Sequence, residues 1–307
     1  MKLDFLLCGS VTPGFLSQFA FFRLCLDALG GHYRDARLVA LLGDHTEASI
    51  PEEWVPYLER IEIVWAHEPG AENIVHSAQH YRRFDVLRDG ADLCFICDAD
   101  VAPLAAFDDL ITELVQTPAL AGVMAHYPFP MPNRQSREPE KDWQEIAEDV
   151  LGYRLDLDHR FLLAPHQPTP FYINYGVFVG TPSMLKCFAA RDRELFEPVA
   201  RHVTHWWASQ VSLALTCIDL ALPTRELVPR FNYPNYELCD ELFPDEMADI
   251  RLMHYLGLKA FDRQKIFCQP AAFDALMTAD LTGSNAVFQS RVEAITSGVF
   301  PFPDAVR

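Results

Sequence analysis

Apolar and polar positions repeat along the first hundred residues with two different periods. Residues 3–7 form a short apolar run, which predicts a strand. Phe15, Leu16, Phe19, Phe22, Leu26 and Leu29 then recur at helical spacing, and Gly30-Gly31 stops that helix. Strands are predicted again at 38–42 and 61–65. An amphipathic helix is predicted at 72–87, closed by Asp89-Gly90, and a fourth strand runs into Asp98. The order βαββαβ predicts an α/β fold with a Rossmann-like, mostly parallel sheet flanked by helices.

The rest of the chain is less regular. Residues 127–137 are rich in proline and polar side chains and are predicted to be irregular. A helix is predicted at 143–151. Residues 155–170 read as a loop carrying His159 and His166, and long loops of this kind often bind ligands. A strand at 171–179 and a helix at 183–190 follow. Trp206, Gln210, Ala214 and Cys217 share a helical face, 226–231 is extended, and 251–255 is the last strand. Beyond Pro270 a tail holds one predicted helix, at 284–295.

The 307 residues suffice for one large domain or two small ones, and half of them are apolar. The net charge of -18 argues against general binding to nucleic acid or anionic membrane. An anionic ligand would need positive charge gathered locally. The eight cysteines are scattered. Cys94 and Cys97 stand three apart on a predicted strand, so they face opposite sides and share neither a metal nor a disulfide. Buried free thiols, no secretory leader and no apolar stretch of membrane-spanning length together lead us to expect a cytoplasmic protein.

The candidate chemistry lies in Leu93-Cys94-Phe95-Ile96-Cys97-Asp98-Ala99-Asp100. An uninterrupted apolar run is the pattern of a strand buried on both faces, and ligands of such sheets bind beyond the strands' carboxyl ends. Asp98 and Asp100 flank Ala99 on one face of extended chain. Two such carboxylates repel unless a cation sits between them. A divalent metal, and with it phosphate chemistry, is therefore expected. On the preceding segment, Arg82 or Arg83 could reach a phosphate bidentately.

A series of motifs then follows in order: Tyr81-x-Arg83-Phe84, Cys97-Asp98-Ala99-Asp100, Asn174-Tyr175-Gly176-Val177, Gln210, Pro223 before Arg230-Phe231-Asn232-Tyr233, and His254-x-x-Gly257. Over about residues 1–260 the chain resembles the retaining GT-A glycosyltransferases that include glycogenin and the bacterial lipopolysaccharide galactosyltransferases. The resemblance implies a GT-A domain over 1–269, with a nucleotide-binding half at about 1–102 and an acceptor-side half at about 103–269, and a tail at 270–307. It implies transfer of a hexose from a nucleotide diphosphate sugar, UDP-linked, to an acceptor hydroxyl with retention. The acceptor would be a glycan, lipid or protein.

By the same resemblance, Asp98, Asp100 and His254 would ligate Mn²⁺ or Mg²⁺, and a mixed carboxylate–imidazole set suits Mn²⁺ better. Cys8, Gly9, Ser10 and Thr12 would edge the nucleotide site. Arg83, Ala99, Gly176, Gly257 and Lys259 would bind the donor, and Asn174 and Gln210 would act at the sugar. Three positions depart from the family pattern: Ser209 precedes Gln210 where an aspartate is usual, Ala260 stands where a lysine closes the last motif, and no acidic residue ends the first strand. The alternatives are a haloacid dehalogenase-type phosphatase, which also places D-x-D after a strand, a nucleotidyltransferase, and a non-catalytic nucleotide-sugar binding protein.

Overall fold

The computed structural model describes residues 1–303 apart from 72, 77–79, 81, 132 and 133. Ten strands matter for the site: β1 (Leu3–Gly9), β2 (Arg37–Leu42), β3 (Glu62–Trp65), β4 (Leu93–Asp98), β5 (Val101–Pro103), β6 (Leu120–Met124), β7 (Ile173–Gly180), β8 (Thr224–Leu227), β9 (Tyr233–Pro234) and β10 (Leu252–His254). Seven of them form the central sheet, in the order β8-β6-β7-β4-β1-β2-β3. Strand β1 pairs parallel with β2 and β4, β2 with β3, and β6 with β8. Only β7 runs against its neighbours β4 and β6. Its first residues therefore lie at the rim where β1 and β4 end, which is where ligands of such sheets bind.

Alternation along the strands divides the core between the two faces. Leu3, Phe5, Leu7, Phe95 and Cys97 lie on the face covered by α1 (Pro13–Leu29). There Phe5 stacks on Phe95 at 5.0 Å and meets Phe22 edge-on at 5.4 Å. Leu6, Cys8, Cys94 and Ile96 lie on the other face with Phe178 and Phe188. Cys94 and Cys97 thus point to opposite sides, as the spacing requires. All eight thiols are free, and Cys187 alone is exposed. Asp4 is buried within β1, where its carboxylate oxygens meet Arg37 at 3.1 Å and Arg88 at 2.7 Å.

Helices α2 (Asp108–Gln116), α3 (Pro139–Val150), α4 (Pro182–Ala200) and α5 (His205–Asp219) complete the flanks. Trp143 of α3 packs edge-on against Phe129 and Tyr172 at 4.9 and 5.2 Å, in a third core cluster shared with α4 and α5. No described helix is long and apolar enough to cross a membrane.

Several expectations need correction. The helix predicted at 72–87 does not fill that range. Its described part has a helical turn at Ile74–His76 and a run of turns over 83–86, and it buries His76, His80 and Arg83, which an amphipathic surface helix would turn outward. Glu72 and Tyr81, which that prediction and the first motif include, lie outside the described residues. The loop at 155–170 contains an antiparallel pair, His159–Phe161 with Ala164–Thr169. The helix from 183 continues to Ala200, and the extended segment at 226–231 leaves the sheet after Leu227 for a 3₁₀ turn at Pro229–Phe231.

The residues after 269 form two helices, α6 (Pro270–Thr278) and α7 (Gly283–Thr296). They do not hang free. Phe273, Phe288 and Val292 are fully buried in the α1-side core, where Phe288 stacks on Tyr255 at 4.8 Å.

Candidate active site

Strand β4 delivers Asp98 to the rim, and the chain then turns through Ala99-Asp100 into β5. A second small sheet, β9-β10-β5, begins there. Its register sets His254 opposite Val101, and the Tyr255 amide donates to the Asp100 carbonyl at 3.0 Å. Backbone pairing across about 150 residues therefore fixes the imidazole beside the two carboxylates. His254 Nε2 lies 3.3 Å from Asp100 Oδ1 and 3.9 Å from Asp98 Oδ2. One ligand atom from each of the three residues falls within 4.8 Å of the other two.

Gly176 is what lets the imidazole sit there. A Cβ at this position would lie 2.2 Å from His254 Cε1 and 2.4 Å from Nδ1, so any side chain here would force the ring out of its place. Neighbouring side chains brace the start of β7. Asn174 Oδ1 accepts from the Gly176 amide and from Asn232 Nδ2, both at 2.9 Å. Gln210 Oε1, from α5, accepts from the Tyr175 amide at 3.1 Å.

The electrostatics divide the two aspartates. Burial and the charge of Asp100 push Asp98 up, against the opposing pull of His254, Arg83 and Arg263. Burial acts on Asp100 as well, but His254 and Arg263 prevail and hold it below the usual carboxylate range. Burial works against a charged His254, yet the charge and hydrogen bond of Asp100, with Asp98 behind, raise it. His126 lines the same space with no such partner among the described residues, and burial followed by the charge of His254 lowers it to about 3, so its ring is neutral. Two hard carboxylate donors and one imidazole gathered this closely form a donor set that fits Mn²⁺ or Mg²⁺.

These groups open onto a cavity of about 470 Å³. Of the residues singled out in the sequence, Cys8, Asp98, Ala99, Asp100, Asn174, Gly176, Gln210 and His254 line it. Burial pushes the Cys8 thiol up, so it lines the wall as a neutral group. Arg83 lies behind that wall, fully buried, with its guanidinium carbon 4.6 Å from the Tyr175 ring centre. Gly9, Ser10 and Thr12 are not part of the lining. A Cβ on Gly9 would strike Phe15 at 2.6 Å and Phe19 at 2.7 Å, so this glycine serves helix–strand packing. The Ser10 and Thr12 hydroxyls pair with each other at 3.4 Å, and the adjacent Val11 amide donates to Asp44 Oδ2 at 3.0 Å.

Gly257 and Lys259 line a neighbouring cavity of about 330 Å³, which shares Tyr127 and Tyr236 with the larger one. Asn235 clamps Gly257 from both sides: its Oδ1 accepts from the Gly257 amide at 2.6 Å and its Nδ2 donates to the carbonyl at 3.2 Å. Lys259 is exposed.

The sequence reading missed Arg263. Its Nη1 lies 2.6 Å from Asp100 Oδ2, and the side chain lines the larger cavity with Phe15, Gln18 and Gln264. Arg263 stands six residues beyond Gly257, outside the motif, and no local pattern marks it. Trp206, 60% exposed, also lines this cavity.

No family model and no curated protein sequence matches the chain. Solved structures do match. The apo structure of the bifunctional glycosyltransferase WbbM superposes with a TM-score of 0.54 at 10% identity, over 83% of this chain and 46% of that one. An active-site mutant of LgtC superposes with a TM-score of 0.50 at 12% identity, over 99% of this chain and 98% of that one. The chain has the fold of these glycosyltransferases. It spans under half the length of WbbM, and LgtC, which matches nearly end to end, is a galactosyltransferase also solved with donor and acceptor sugar analogues. Motif order and fold thus agree on a GT-A-type sheet.

Proposed function

We propose that this protein is a glycosyltransferase that moves a hexose from a nucleotide diphosphate sugar, UDP-linked, to an acceptor hydroxyl with retention. The observation that carries the reading is the convergence of Asp98, Asp100 and His254 at the rim of a sheet with the glycosyltransferase fold. The fold favours this over the phosphatase and nucleotidyltransferase alternatives.

A divalent cation held by Asp98, Asp100 and His254 would supply positive charge to the departing diphosphate. The chain's own residues do the rest. Gly176 leaves the ring of His254 room to present Nε2. Asn174 and Gln210, fixed against the β7 backbone, border the place for the transferred sugar. Arg83 adds positive charge from behind the Cys8 wall without entering the cavity. Ser209 stands where the family's aspartate is missing, with its hydroxyl 3.3 Å from His80 Nδ1. The family resemblance supports a retaining path without a protein nucleophile, in which the leaving phosphate accepts the proton of the attacking hydroxyl.

The decisive variant is Asp100→Asn, assayed for Mn²⁺-dependent turnover of UDP-sugars. Loss on the order of a thousandfold is expected, since the charge that gathers the cation goes with it. Undiminished turnover would overturn the assignment. The Ser209 substitution favours one second reading, a protein that binds nucleotide sugars without turning them over. Calorimetry showing UDP binding by wild-type protein, with no donor hydrolysed or transferred, would establish that reading instead.

A further inference from the structure

Asp100 is already satisfied on both oxygens. Oδ1 faces His254 Nε2 at 3.3 Å, and Oδ2 accepts from Arg263 Nη1 at 2.6 Å. The same Nη1 lies 3.2 Å from the Leu256 carbonyl. A divalent ion that takes Asp100 therefore enters beside a guanidinium already in place on the same carboxylate, and the two positive charges repel.

The backbone beneath that guanidinium is anchored. The Arg263 carbonyl accepts from Gln18 Nε2 of α1 at 3.1 Å. The neighbouring Gln264 packs against Gly14, where even a Cβ would lie 2.3 Å from its Oε1. The Arg263 side chain, by contrast, is 31% exposed and borders the open cavity. Its base is fixed, while its head borders open space that another rotamer would occupy. A planar fork of donors of this kind matches a phosphate as well as a carboxylate. The lysine that closes the family's last motif is replaced by Ala260, and Lys259 borders the other cavity.

We infer that Arg263 is an exchangeable counter-cation: it neutralises Asp100 in the metal-free protein, and it turns to the diphosphate of the donor when a divalent ion takes Asp100. This rests on the transferase reading above. It makes metal and nucleotide binding mutually reinforcing. The ion alone must bind against the charge of the guanidinium, whereas the ion with a diphosphate gives that guanidinium a new partner. By linkage, the factor by which UDP strengthens Mn²⁺ binding equals the factor by which Mn²⁺ strengthens UDP binding.

The test is titration calorimetry of Mn²⁺ and UDP, separately and together, on wild-type protein, Arg263→Gln and Arg263→Lys, with Tm measured to confirm folding. In the wild type, UDP should tighten Mn²⁺ binding about tenfold or more. Arg263→Gln should bind Mn²⁺ alone more tightly than wild type, bind UDP on the Mn²⁺-loaded protein about tenfold more weakly, and lose most of the coupling. Arg263→Lys, which keeps a point charge without the fork, should fall between them. A folded Arg263→Gln with unchanged or weaker Mn²⁺ affinity and undiminished coupling would overturn the exchange. Wild-type protein that binds neither Mn²⁺ nor UDP would overturn the transferase reading itself, and the exchange with it.

Discussion

The strands of the first hundred residues and the segment from Thr224 to Arg263 supply opposite halves of one site by different routes. In the first, the chemistry is local. An apolar strand ends in Asp98-Ala99-Asp100, and the parallel pairing of β1 with β4 carries it to the rim. In the second, nothing local announces the result. His254 reaches the carboxylates because β10 pairs with β5, and Arg263 reaches them because Gln18 and Gly14 of α1 seat the segment that carries it. Acidic groups can be written next to each other in the chain, whereas their cationic partners have to be brought there by register and packing.

This contrast can be attacked at its largest point first. If the second half depends on what packs behind it, Phe288→Ala should be severe, because Phe288 is fully buried and stacks on Tyr255, the residue after His254. A loss of about 3–5 kcal/mol is expected, read by denaturant unfolding. A loss under about 1 kcal/mol would mean that α7 gives the site no support.

Gly176→Ala separates geometry from stability. The added methyl must push the His254 ring aside, at a cost of about 1–3 kcal/mol. Mn²⁺ affinity should fall with it, and calorimetry on the folded variant would show this. Unchanged metal affinity would mean that the imidazole is not a ligand. Lys259→Ala is the mildest. An exposed side chain bordering the smaller cavity should change stability by less than about 0.5 kcal/mol. Its effect on UDP affinity should be smaller than that of Arg263→Gln, and the reverse order would restore the motif's basic position to Lys259.

Strands β1 to β4 and helix α1 were legible because each buries a continuous or periodic apolar set that has only one way to lie. Residues 72–87 misled because the periodicity is there, but His76, His80 and Arg83 also go inside. A pattern of apolar positions cannot register a polar residue turned inward. The pair at 159–169 was hidden by its prolines, which read as breakers although the two strands lie apart from the main sheet. Asp98 and Asp100 were visible from chemistry alone, while His254 was visible only through the family motif. Arg263 was invisible to both, since its meaning depends on a carboxylate 163 positions earlier.

The stacking of Phe21 on Phe267 at 3.9 Å joins helix α1 to a residue some 250 positions further on. On a ribosome adding about 5–20 residues per second, the apolar side of that helix waits roughly 12–50 s for its partner. During that interval the nascent chain carries an uncovered phenylalanine-rich surface beside an incompletely roofed sheet. Chaperone capture during synthesis is the natural guard for such an intermediate, and slowing the translation of the last third of the message should lower the soluble yield.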